Sequence, residues 1–155
     1  MIFESTFDVP ILKEELWSSF VDHPELLIPL LPDCREFEII SENEYNAKFK
    51  VGISSIKGTM KFHFFDIEKK IPSQIKLKGR GTGIRSVVDM ETIINLENIP
   101  DGSTKILLNS DIKVSGLIAG VGGRLIHMFT EKKINELYKS IKEDIENKSG
   151  IIPTC

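Results

Sequence analysis

Three histidines, a cysteine between charged neighbours and a glycine-rich run are the residues of this 155-residue chain whose types invite chemistry. His23, His63 and His127 show no i, i+3 or i+4 spacing, and no Cys or acidic ligand set accompanies them, so the pattern predicts three unrelated histidines and no metal. Cys34 follows Asp33 and precedes Arg35, whose charge would lower the thiol pKa. No His base is placed beside it, so a structural cysteine at a turn is the simpler reading. Glu14 and Glu15 are adjacent and do not share a helix face. Gly79-Arg80-Gly81-Thr82-Gly83 has the glycines of a phosphate loop but neither the Lys-Ser/Thr ending nor a following helix. A glycine-rich hairpin turn is the better account. Thr92 and Ser110 fall on inward strand faces and lack an evident base. No catalytic residue and no cofactor follow from these patterns.

The elements that would position any such group are clearer. The segment Leu117 to Asn147 holds one periodicity longest. Ile134, Leu137, Tyr138, Ile141 and Ile145 share one face of an amphipathic helix. Its first half is apolar almost all round and carries Gly120, Gly122 and Gly123, which suggests a helix end, a kink or room left beside another surface. A helix from Ala119 to Asn147 would be roughly 40 Å long.

Ahead of it, Met1 to Val9 reads as a strand. Pro10 is expected to open a first short helix and Pro24 a second. The second, ended by Pro32-Asp33, holds Leu26, Leu27, Ile28, Leu30 and Leu31, more apolar surface than one buried face needs. Either it is wedged under other elements or its excess faces a cavity mouth or a partner. From Cys34 to Val114, six runs alternate apolar and polar residues with no helix between them, with Gly52 to Lys57 read as a loop and Gly79 to Gly83 as a turn. The order is strand, two short helices, six strands, long helix: an α+β, antiparallel architecture.

The totals fit one domain, over 1–147, with a short loose tail over 148–155. The net charge of −3 is well mixed and leaves no basic stripe for nucleic acid. Two cysteines are too few for a disulfide framework, and the N-terminus has no basic-then-apolar leader, so a cytoplasmic setting is expected. No apolar run approaches the ~20 residues of a membrane span, so membrane contact would be peripheral.

Four stretches stand out in order: Leu31-Pro32-Asp33-Cys34; Lys50-Val51-Gly52-Ile53 with Lys57-Gly58-Thr59-Met60-Lys61-Phe62; Gly79-Arg80-Gly81; and Gly122-Gly123-Arg124-Leu125-Ile126. In these the chain resembles the CoxG family, named for the G subunit of carbon monoxide dehydrogenase, within the START-like, helix-grip (SRPBCC) superfamily. The first looks like the family's Ile-Pro-Gly-Cys, with Asp33 in place of Gly. The resemblance implies a curved seven-stranded antiparallel sheet around a long C-terminal helix. It implies a non-catalytic cytoplasmic protein that handles a lipid or quinone and assists or recruits a CO dehydrogenase-type molybdenum hydroxylase at the inner face of the membrane.

On pattern alone, the inward-facing Phe49, Met60, Phe62, Phe64, Leu77, Met90, Ile94, Leu108 and Ile112, with Val121, Leu125, Met128 and Phe129 opposite, are simply core. The resemblance turns them into the lining of a ligand cavity, with Leu27, Leu30 and Leu31 as its gate. The alternatives are a cyclase- or hydratase-type enzyme acting on an apolar substrate in the same cavity, and an interaction protein that docks an oxidoreductase through the second helix.

Overall fold

The computed structural model describes residues 1–148. β1 (Ile2–Val9) leads to α1 (Lys13–Leu16), which runs on as a π-helical turn over Trp17–Val21. α2 (Pro24–Leu27) continues as a 3₁₀ turn over Ile28–Leu30. Then come β2 (Cys34–Ser41), β3 (Glu44–Ile53), β4 (Ile56–Lys70), β5 (Gln74–Gly83), β6 (Ser86–Asn98) and β7 (Thr104–Gly116). A 3₁₀ turn (Ile118–Val121) precedes α3 (Gly123–Lys148). The seven strands form one sheet in the order β1-β7-β6-β5-β4-β3-β2, antiparallel throughout. The sheet curves around α3, as the alternation of its strands and the amphipathic helix require: one sheet face and one helix stripe must be buried together.

The expected tail lies outside the described residues, apart from Lys148, whose backbone closes α3. Pro10 does not open α1. The Ile11 carbonyl accepts a hydrogen bond from Thr104 Oγ1 at 2.7 Å, and Asn98 Oδ1 accepts from the Lys13 amide at 2.9 Å. These contacts from the β6–β7 end hold the chain extended through Leu12 and place the helix start at Lys13. Gly52 to Lys57 is not an open loop either. Ile53 pairs with Ile56, and Ser54, at φ 55°, closes a tight hairpin.

The long helix starts later than its sequence suggests. Gly122 adopts φ 93° and ψ 152°, a conformation that breaks the helical path, and its carbonyl accepts the Ile126 amide at 3.2 Å. α3 is thus a separate 26-residue helix, about 39 Å long.

Two apolar clusters hold sheet and helix together. One gathers Val9, Leu16, Trp17, Phe20, Leu96, Ile106, Ile141 and Ile145, so α1, its π turn and the C-terminal half of α3 close one end of the sheet. The other, around Ile53, Met60, Ile118 and Ile126, lies at the opposite end. A cavity opens beside the second cluster, whose four buried residues all border it.

Candidate functional site

A cavity of about 260 Å³ lies between the inner face of the sheet and α3. This is just below the ~300–1,000 Å³ usual for small-molecule pockets. Its roof is a helical stripe: Ile126, Phe129, Thr130, Lys133, Ile134 and Leu137, spaced i, i+3, i+4, i+7, i+8 and i+11. Its floor comes from β3, β4, β6 and β7, including Phe49, Met60, Phe62, Phe64, Met90 and Ile112. Leu31, Pro32 and Asp33, from the turn between the second helical segment and β2, complete the wall.

The space exists because the large floor side chains lean along the sheet instead of standing up from it. In the strand register Phe62 is opposite Gly81, and Phe64 is opposite Gly79, which in turn is opposite Met90. A Cβ on Gly81 would lie 2.4 Å from Phe62 Cζ, so the ring tip already occupies that volume. A Cβ on Gly79 would lie 2.8 Å from Met90 Cγ and 3.2 Å from the Phe64 ring. Phe62 and Phe64 stack with centroids 5.9 Å apart, and Phe49 meets Phe62 edge-on at 5.6 Å. The glycine-rich run expected as a turn is therefore strand: Gly81 seats the Phe62 ring and Gly79 seats Met90 with the Phe64 ring, while Gly83 lies against the Thr59 carbonyl; the turn follows at Ile84 and Arg85, both at positive φ. The glycines that make room are Gly79 and Gly81. Gly120, Gly122 and Gly123 have no atom within 4 Å of an added Cβ and face open space.

The expected lining residues divide by position. Phe49, Met60, Phe62, Phe64, Met90, Ile112 and Phe129 stand on the wall, as does Leu31. Leu77, Ile94 and Leu108 share the inner sheet face but lie off the wall, in or beyond the row where Thr92 and Ser110 pair. Ile94, Leu27 and Leu30 pack against the first cluster, so of the three residues expected as a gate only Leu31 borders the cavity. Val121 packs against the second cluster from the 3₁₀ turn. Leu125 and Met128 are exposed, at 43% and 55%. Each is one residue, about 100° of helical rotation, before a wall residue, Ile126 or Phe129. Extending the Ile134–Leu137 stripe backwards by helical steps gives Thr130 and Ile126, two wall residues absent from the expected lining.

The wall is apolar except at one end. Asp33 adopts φ 63°, the left-handed region. Its Oδ2 accepts a hydrogen bond from Lys133 Nζ at 2.6 Å, and Glu136 Oε2 accepts from the same ammonium at 3.3 Å. The ammonium also lies 5.6 Å from the Phe129 ring centroid. The hydrogen bond to Asp33 pushes the Lys133 pKa above the usual lysine range; partial burial opposes the rise and Glu136 adds to it. Thr130 Oγ1 donates to the Ile126 carbonyl at 2.8 Å.

The other chemistry-bearing residues are scattered. His23 meets Glu25 at 2.8 Å, His63 meets Glu44 at 2.8 Å, and His127 lies 3.9 Å from Glu131. Among the described residues no three His, Cys, Asp or Glu side chains form a metal-holding group. Burial pushes the Cys34 thiol up, outweighing a hydrogen bond to the Glu36 carbonyl, so the expected lowering by Arg35 is not the controlling effect. Thr92 and Ser110 hydrogen-bond to each other at 2.8 Å and are buried. A larger depression, of about 570 Å³, lies over the outward sheet face, but it is bordered by Glu36, Lys48, Lys61 and Arg80 and carries the 3.1 Å Lys48–Glu36 ion pair. That is an ordinary solvated surface.

A curved sheet closed on a helix over an apolar cavity is an arrangement that can be compared with known proteins. The family model for CoxG, the G subunit of carbon monoxide dehydrogenase, matches residues 6–146. The chain belongs to the CoxG family. A search of curated proteins finds no match. A conserved protein from Geobacillus kaustophilus is 26% identical, with 95% of this chain and 96% of that one covered and a TM-score of 0.87. A START superfamily protein from Mycobacterium smegmatis is 14% identical, with 94% and 97% covered and a TM-score of 0.70. The Zhui aromatase/cyclase from a Streptomyces species is 13% identical, with 96% and 95% covered and a TM-score of 0.69. The last two place this CoxG chain in the START-like helix-grip fold and carry no more than that. Among the described residues no helix is long and apolar enough to cross a membrane.

Proposed function

We propose that the chain is a non-catalytic binding protein that holds one hydrophobic small molecule, a lipid or quinone, between the sheet and α3. The observation that carries this reading is the cavity itself: apolar along its length, with its charged groups gathered at one end. Binding energy would come from apolar burial, at about 25 cal/mol per Å² before ordering costs. The modest volume favours a single acyl chain or a small ring system over a bulky polycycle. CoxG membership supports a second step, in which the occupant or the protein serves a CO dehydrogenase-type molybdenum hydroxylase in the cytoplasm or at the inner membrane face. Co-purification with such an enzyme is the check on that step.

The cavity claim is tested with the apolar fluorophore N-phenyl-1-naphthylamine. The protein should take up one probe per chain. Ile112→Trp, which adds bulk to the floor, should lose that uptake while staying folded. Equal uptake by the filled variant would place the probe elsewhere and remove the support.

The cyclase- or hydratase-type alternative shares the fold with the Zhui enzyme. It needs a base or acid on the wall that titrates near neutrality. Lys133 is held protonated, and Thr92 and Ser110 pair with each other off the wall. The binding reading is therefore preferred.

A further inference from the structure

The polar end of the cavity has an uneven account of donors and charges. Asp33, Lys50, Thr130 and Lys133 are its polar wall residues. Ionised Asp33 offers only acceptors. The Thr130 hydroxyl hydrogen is engaged by the Ile126 carbonyl. Lys50 is exposed, and its strand neighbours Phe49 and Val51 have the inward positions. The Lys133 ammonium remains: it has three N–H groups, and Asp33 and Glu136 take two of them. One donor is left, on a side chain that lines the cavity and is 26% exposed. A ligand head that took this donor would displace neither carboxylate.

The charges decide what that head can be. Asp33 and Glu136 flank the Lys133 ammonium within 3.3 Å, while Lys50 is exposed on the outward side of its strand, so the charge at the free donor is net negative. An anionic head would gain one contact with Lys133 and meet two like charges; a neutral acceptor oxygen gains the contact and meets no such opposition.

Resting on the binding function proposed above, we infer that Lys133 is the polar anchor of the cavity and that Asp33 makes it selective: the site takes amphiphiles with a neutral carbonyl head, such as an ester, ketone or quinone, and rejects free carboxylates. The acyl or ring body then lies along the Met60–Phe62 floor under Ile126 and Phe129. Asp33 thereby has a role a family-like glycine at that position could not fill.

The test uses three probes of matched length against the full chain at pH 8: methyl decanoate, decanoate and undecane. Each displaces bound N-phenyl-1-naphthylamine. The ester should displace it most tightly, and decanoate about tenfold more weakly, the effect of a like-charge contact at a partly exposed site. Asp33→Asn, which keeps a residue tolerant of the left-handed backbone, should remove or reverse the preference against decanoate. Lys133→Met should make ester and undecane alike, with Lys133→Arg restoring the difference. Decanoate binding as well as the ester in the unaltered protein, or an ester preference over undecane that survives Lys133→Met, overturns the inference while leaving the cavity intact. Displacement by none of the three, together with no fluorophore uptake, overturns the cavity reading and the inference with it. Thermal melts of each variant confirm that it is folded.

Discussion

Lys133 Nζ and Asp33 Oδ2 meet at 2.6 Å across 100 positions of sequence, tying the turn before β2 to the middle of α3. Both residues border the cavity. It adds a charged tie between the turn and α3, whose neighbouring residues Leu27, Leu30 and Leu137 pack on the first cluster, and it concentrates the charge of the site in one place.

The backbone at Asp33 separates two contributions to stability. Asp33→Ala loses a partly exposed ion pair, worth about 0–1 kcal/mol, and keeps a side chain at φ 63°. Asp33→Gly loses the same pair but removes the left-handed cost of about 1–2 kcal/mol. Urea unfolding should therefore find the glycine variant more stable than the alanine variant by about 1 kcal/mol. The opposite order would mean the turn relaxes without its carboxylate.

Glycines in β5 and before α3 should respond in opposite ways to alanine. Gly81→Ala forces the Phe62 ring off its seat and up into the cavity, so it should cost about 1–3 kcal/mol and weaken uptake of an apolar probe. Gly120→Ala meets no atom within 4 Å and has no left-handed φ, so it should stabilise by about 0.4–1 kcal/mol and leave uptake unchanged. Paired melts and titrations read both effects.

The alkaline limb of the stability curve should carry the Lys133 contribution. Its folded pKa is raised, so the ammonium stabilises the fold below the unfolded lysine value of about 10.4 and that stabilisation fades as pH rises through the folded value. Lys133→Met should lower stability at pH 8 and flatten the loss above about pH 10. Parallel curves for the two proteins would show that the pair adds nothing to stability.

Cys34 should behave as a sluggish thiol. Burial raises its pKa, so in a Cys155→Ser background it should react with a disulfide reagent at pH 8 more slowly than a free thiol of pKa about 8.5. Reaction as fast as that of a free thiol would point to control by Arg35 instead.

The architecture is legible in the sequence because period-2 alternation in six runs and the Ile134–Ile145 stripe are strong signals that each dictate a buried face. The cavity is less so. Phe62, Phe64 and Met90 look the same in sequence whether they fill a core or lean over glycines, and only the strand register, with Gly79 and Gly81 opposite them, distinguishes the two. Leu125 and Met128 fall outside the wall because each sits about 100° of helical rotation from a wall residue of the same helix, and only counting helical steps back from Ile134 separates them from Thr130 and Ile126. The Asp33–Lys133 pair has no sequence signal, since nothing local links residues so far apart.

The central claim is that the space under α3 holds a molecule. Native mass spectrometry of freshly purified protein, followed by organic extraction, tests it most directly. The account predicts one hydrophobic molecule bound per chain, released into the organic phase and absent from Ile112→Trp. Protein that emerges empty and then takes up no apolar probe would contradict it, and Met60, Phe62 and Phe64 would be packing residues alone.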